Sequence, residues 1–116
     1  MNINMANCCD SDEIDFKKEA ESIISDIRFA VRSIDISKKL ISTKQCVFIN
    51  IVTREDSVFC VQLSTNGLKV VGREVDKDTE HSGRSYESIY ALLDSLSPAY
   101  VEAFGAEIAR KLSELQ

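Results

Sequence analysis

Toward the carboxyl end the apolar residues Val101, Phe104, Ile108, Leu112 and Leu115 recur at steps of three and four. At about 100° per residue they form one narrow stripe along a helix. Arg110 and Glu114 fall away from the stripe and Lys111 borders it. Ser97-Pro98 supplies the start signal. The serine hydroxyl accepts from an early orphan amide, and proline at the first helical position loses an N–H that would be unpaired anyway. Arg110 and Lys111 suit the negative pole at the other end. Two uses are open to such a stripe. It packs on the chain's own core, as most amphipathic helices do, or it lies in another protein's groove. Gly105 interrupts the pattern and costs about 1 kcal/mol against alanine inside a helix. It either allows close packing near Phe104 or weakens the first turns so that the helix orders on binding.

The same spacing runs from Asp15 to about Ser33. Phe16, Ala20, Ile23, Ile24, Ile27, Ala30, Val31 and Ile34 cover a face roughly 120° wide, with Lys18, Glu21, Ser22, Asp26 and Arg32 off it. Phe29 projects to the opposite side, toward a partner or a loop. Ile34 and Ile36 then alternate with Ser33, Asp35 and Ser37, which predicts a short strand. Three more strands follow at 46–53, 58–64 and 68–75, rich in β-branched and aromatic residues. Phe59, Val61 and Leu63 share a face of the middle one. Arg54-Glu55-Asp56-Ser57 is a polar hairpin loop. At Thr65-Asn66-Gly67 the last two residues tolerate the positive φ of tight turns. Connections this short require antiparallel pairing. Gly72 within a strand marks a bulge or a close backbone approach. After a charged loop over 76–84, Ser85 caps a helix from Tyr86 to about Ser95, carrying Ile89, Tyr90, Leu92, Leu93 and Leu96. The predicted fold is α+β: a small antiparallel meander of three to four strands, packed with one N-terminal helix and two C-terminal helices.

A chain of 116 residues supports one domain, expected over 15–116. Residues 1–14 carry too little apolar surface to fold alone and read as a disordered acidic tail. The net charge of −5 argues against nucleic acid and anionic membrane as partners, since both reward lysine and arginine. No stretch approaches the roughly 20 apolar residues of a membrane span, and the first residues lack the features of a secretory signal. Cys8, Cys9, Cys46 and Cys60 show no framework spacing, so reduced thiols and a cytoplasmic location are expected. Cys8 and Cys9 with His81 match no zinc pattern.

Catalytic motifs are missing as well. The four glycines are scattered and make no phosphate loop. The single histidine, His81, makes no triad. Asp76, Asp78 and Glu80 alternate like part of a calcium loop, but no glycine turn and bidentate glutamate follow at the required spacing. The expectation is a protein that is not an enzyme and holds no cofactor.

One resemblance sharpens this. The run from Leu92 to Tyr100, continuing through Glu102-Ala103-Phe104-Gly105, resembles the C-terminal part of the glycogen synthase kinase-3 interaction protein family. Gly67-Leu68-Lys69-Val70-Val71-Gly72 is similar to that family's third strand. Phe29-Ala30-Val31, with Ser37-Lys38 and Leu40, is similar to its first helix and the segment after it. The resemblance spans about Glu19 to Leu115. It implies that the last helix docks on glycogen synthase kinase-3, as the similar helix of the scaffold axin does. The pattern there is Phe, three residues, an aliphatic, three residues, Leu, two residues, an aliphatic. Phe104, Ile108, Leu112 and Leu115 match it, and Val101 extends the stripe by a turn.

Some members of the family also dock their first helix on the type II regulatory subunit of protein kinase A. Ala20, Ile23, Ile24, Ile27 and Val31 have the matching spacing. Arg28 stands where the second aliphatic of a pair belongs, and burying an unpartnered guanidinium is costly. Packing of this face on the sheet is the alternative. The function implied is a non-catalytic adaptor that binds and regulates glycogen synthase kinase-3. A dual scaffold that also binds protein kinase A and a structural domain without a kinase partner are the other readings. Exposure of Phe104, Ile108 and Leu112 separates docking from a purely structural role.

Overall fold

Asp15 opens the first helix, α1 (Phe16–Ile27), its side chain accepting from the Lys17 amide at 3.0 Å. The structure, a computed structural model, describes residues 15–80 and 83–115. The expected tail, with Cys8 and Cys9, and His81 lie outside the described residues.

The helix ends earlier than its periodicity suggests. A single 3₁₀ turn, Arg28–Ala30, follows it, and the chain then enters strand β1 (Ser33–Ile36). Tertiary pairing overrides the helical pattern here. The Arg32 amide donates to the Val52 carbonyl at 2.9 Å, and β1 runs antiparallel to β2 (Cys46–Val52). The other strands are β3 (Val58–Ser64), β4 (Gly67–Gly72) and β5 (Ser85–Tyr86). The sheet order is β1-β2-β3-β4-β5, antiparallel throughout. This is the expected meander, with five strands in place of three to four.

The extra strand corrects the next helix start. Ser85 and Tyr86 pair with Lys69 and Leu68, so Ser85 is not a cap. Ser88 takes that role three residues later, accepting from the Ala91 amide at 3.1 Å and starting α2 (Ile89–Leu96). At the β3–β4 turn Gly67 alone takes a positive φ, 102°, so Asn66 does not share it as expected. Gly72 sits beside a register shift between Cys60 and Val61, and a β-carbon on it would lie 1.9 Å from the Lys77 carbonyl oxygen. Both readings of that glycine hold.

One face of the sheet carries the main core. Val47, Ile49, Ile51, Phe59, Val61, Leu63, Leu68 and Val70 meet α1 through Ala20, Ile23, Ile24 and Ile27, and α2 through Ile89, Leu92 and Leu93. The other face carries a smaller cluster of Phe48, Cys60 and Val71. Burial there pushes the Cys60 thiol up to about 11. Asp76, at φ 59°, ties the chain leaving β4 to β1 and β2. Its Oδ1 accepts from the Ser37 hydroxyl at 2.5 Å and from Asn50 Nδ2 at 2.8 Å, while its amide donates to Asn50 Oδ1 at 2.9 Å. Those donors, the Ser37 hydroxyl first, hold its carboxyl below the usual range.

Candidate functional site

The last helix, α3 (Pro98–Glu114), starts where Ser97-Pro98 predicts. Ser97 is buried, and its Oγ accepts from the Tyr100 amide at 3.0 Å. A second cap comes from far along the chain. Glu55, in the β2–β3 loop, accepts from the Ala99 amide at 2.8 Å and from the Ser97 hydroxyl at 2.7 Å. A carboxylate at a helix N-terminus meets orphan amides and the positive pole together. The Ala99 amide, followed by the Ser97 hydroxyl, holds Glu55 down at about 2.

The same loop grips the chain just after α1. Arg54 donates to the Phe29 carbonyl, and Arg32 pairs with Asp56 at 2.5 Å. One hairpin loop thus fixes both the 3₁₀ turn and the base of α3. Nothing in the local pattern of Arg54-Glu55-Asp56-Ser57 marks it for this task, because the groups it serves lie more than 20 residues away.

Phe104 completes the anchorage. Its ring packs against Tyr100 at a centroid distance of 5.5 Å, Tyr90 at 5.8 Å and Phe29 at 6.3 Å. Such offset and tilted pairs add to area burial. Phe29, which faces away from the stripe of α1, thus meets the chain's own helix on one side and stays 40% exposed. Phe104 is partly buried in this cluster and Tyr100 is fully buried.

Beyond Phe104 the stripe meets solvent. Ile108 is 45% exposed, Leu112 56% and Leu115 81%; Val101, on the outer side of the first turns, is 43% exposed. The five stripe residues thus divide into one partly buried ring and four exposed aliphatic side chains. On the polar side Arg110 bonds Glu107 at 3.0 Å and Glu114 at 2.5 Å, pairs three and four apart that brace a helix with little tertiary support. Gly105 has open space where its β-carbon would point, which removes packing near Phe104 as its reason. The helix runs through it without a break.

The candidate set on α1 is placed differently. Ala20, Ile23, Ile24, Ile27 and Val31 are all buried in the core, against the sheet and its neighbours. Arg28 lies in the 3₁₀ turn rather than in a helical seam. Presenting this face to another protein requires α1 to leave the sheet. Among the described residues no helix is long and apolar enough to cross a membrane.

Known proteins are similar to this chain over most of its length. The family described as the GSKIP domain matches residues 16–115. The chain is 40% identical over 107 residues to the GSK3B-interacting protein of Homo sapiens, covering 91% of this chain and 77% of that one. It is 40% identical over 111 residues to the GSK3-beta interaction protein of Danio rerio, covering 94% and 84%. It is 32% identical over 100 residues to the protein GSKIP homolog of Drosophila melanogaster, covering 82% and 84%.

Proposed function

The chain belongs to the GSKIP domain family, and we propose that it is a non-catalytic adaptor whose α3 docks on a glycogen synthase kinase-3 and regulates it. One observation carries this reading. Ile108, Leu112 and Leu115 form an exposed apolar edge on a helix whose base is clamped. A helix used only for its own fold would turn that edge inward, because each such side chain gains about 2 kcal/mol on leaving water. That relatives are named for interaction with GSK3 supports this choice of partner.

The energetics fit a regulatory encounter. Burial of the surface that Val101, Ile108, Leu112 and Leu115 still expose supplies about 4–5 kcal/mol gross, at about 2 kcal/mol for a fully exposed side chain. Lost rigid-body freedom and side-chain ordering remove part of it. Pre-formation of the helix by Ser97, Glu55 and the Phe104 cluster lowers that ordering cost.

The test is calorimetric titration of the full chain with purified kinase, for wild type and Leu112→Arg. Leu112 is exposed, so the variant keeps its circular dichroism spectrum. Its binding is expected to fall by about sixfold or more, the equivalent of the lost apolar contact alone. Equal affinity of a folded Leu112→Arg chain removes α3 as the docking element.

A further inference from the structure

Phe29 stands off the core-facing stripe of the first helix, and the fold covers only part of its ring. With Tyr90, Phe104 and Ile108 it lines a groove of about 470 Å³ between α1 and α3, which Ser25 also borders. Phe29, Tyr90 and Ile108 are all exposed, so this is apolar surface that a partner can reach. The carboxylates of the lining are answered within the chain. Asp26 accepts from the Tyr90 hydroxyl at 3.3 Å, and Glu107 accepts twice from Arg110 at 3.0 Å. Lys111, the other charged group there, is exposed, so its ammonium stays hydrated. What the groove leaves unanswered is ring and aliphatic carbon. Its walls are also fixed in advance. Arg54 donates to the Phe29 carbonyl, and the Phe104 ring packs on Phe29, Tyr90 and Tyr100.

We propose that this groove is a second contact for the kinase that docks on α3, and that it takes an apolar side chain of that kinase. The inference rests on the docking reading above and adds Phe29 and Tyr90 to the docking edge. Two arguments carry it. The surface still exposed on the stripe gains little more than association costs in rigid-body freedom, so a partner held to α3 needs apolar contact beyond the stripe. The groove adjoins the stripe through Phe104 and Ile108, which belong to both, and its preset rings add contact area at little ordering cost. A charged occupant would leave water for rings whose neighbouring carboxylates are already engaged. In this arrangement the 3₁₀ turn after α1 takes part in docking while the core face of α1 stays on the sheet.

Titration of the full chain with purified kinase, at low and high salt, tests this with Phe29→Gln, Ser25→Arg, Ser22→Arg and Leu112→Arg. Phe29→Gln removes the ring. Ser25→Arg leaves every ring in place and sets a long side chain at the groove, and Ser22→Arg makes the same change on α1 outside it. All four positions are exposed, so circular dichroism is expected to stay native. Phe29→Gln is expected to weaken binding by about fivefold, equally at both salt concentrations because apolar contact is not screened. Ser25→Arg is expected to weaken it by about threefold to tenfold, and Ser22→Arg by less than about twofold. If Phe29→Gln and Ser25→Arg bind like wild type while Leu112→Arg does not, the groove is overturned and the docking helix stands. Weakening by Phe29→Gln alone would mean that the ring only steadies α3, and equal weakening by Ser25→Arg and Ser22→Arg would mean a general effect of charge; either overturns the contact. A Phe29→Gln loss that vanishes at high salt overturns the apolar occupant. Sedimentation of the chain without kinase covers the remaining case: a dimer abolished by Phe29→Gln would give the groove to a second copy and overturn the proposal. If wild type itself does not bind the kinase, the docking reading falls and takes the groove with it.

Discussion

Two glycines show how differently one residue type is used. At Gly72 a β-carbon would collide with the Lys77 carbonyl oxygen, a backbone atom that moves only with its whole segment. At Gly105 the same atom would enter open space. Alanine is therefore expected to act in opposite directions at the two sites. Gly72→Ala costs about 1–3 kcal/mol through overpacking. Gly105→Ala gains about 0.5–1 kcal/mol through helix propensity and a less disordered unfolded chain. Thermal melting of the two variants should bracket the wild-type midpoint. A lowered midpoint for Gly105→Ala would mean that the glycine serves the fold after all. Phe104 is divided in a related way. As part of the stripe it reads like Ile108 and Leu112, yet its ring is held by three other rings. Its position in the pattern was legible, and its second set of contacts was not.

Helix α3 is built from a legible stop, a legible start and an invisible clamp. Ser97 and Pro98 announce the boundary, but Glu55 fixes the direction in which the helix leaves the body. The depressed pKa of Glu55 sets the direction of its pH dependence. Folding favours the ionised carboxylate, so the contribution is fully present above the ordinary value of 4.5 and is lost as pH falls toward about 2. Melting of wild type and Glu55→Gln across this range is expected to converge as the solution is acidified, with wild type the more stable at neutral pH. A constant difference from neutral pH down to about pH 2 would show that the carboxylate charge plays no part in the cap. In helix α1 the local pattern overshoots instead. Its apolar period continues to Ile34, yet the chain abandons the helix after Ile27, because β1 gains backbone pairing with β2 that a longer helix would forfeit. The next helix is delayed for the same reason, with Ser85 and Tyr86 spent on pairing with β4 before Ser88 caps.

At the level of the whole molecule, two amphipathic helices of similar pattern receive opposite fates. The sheet has one broad apolar face, and α1 and α2 cover it. Little apolar surface is left for α3 beyond its first turns, so its outer residues face solvent. The same division governs any partner of α1. Since Ala20, Ile23, Ile24, Ile27 and Val31 are core residues, exposing them uncovers the sheet as well. The intact chain is accordingly expected to show no binding to the type II regulatory subunit of protein kinase A in a calorimetric titration. Saturable binding by the folded chain would demonstrate that α1 detaches at modest cost.

Amino-acid order alone determined the α+β class, the antiparallel meander, the start of the last helix and the five residues of its stripe. Each of these rests on period, turn chemistry or capping within a few neighbouring residues. Tertiary structure decided where α1 stops, which serine caps α2, that Glu55 clamps α3, and which apolar stripe is left uncovered. Those outcomes depend on competition among segments far apart in the chain for one sheet face and for unpaired backbone groups. A local pattern records what each segment can do; burial and pairing are shared across the fold and are settled only when all segments meet.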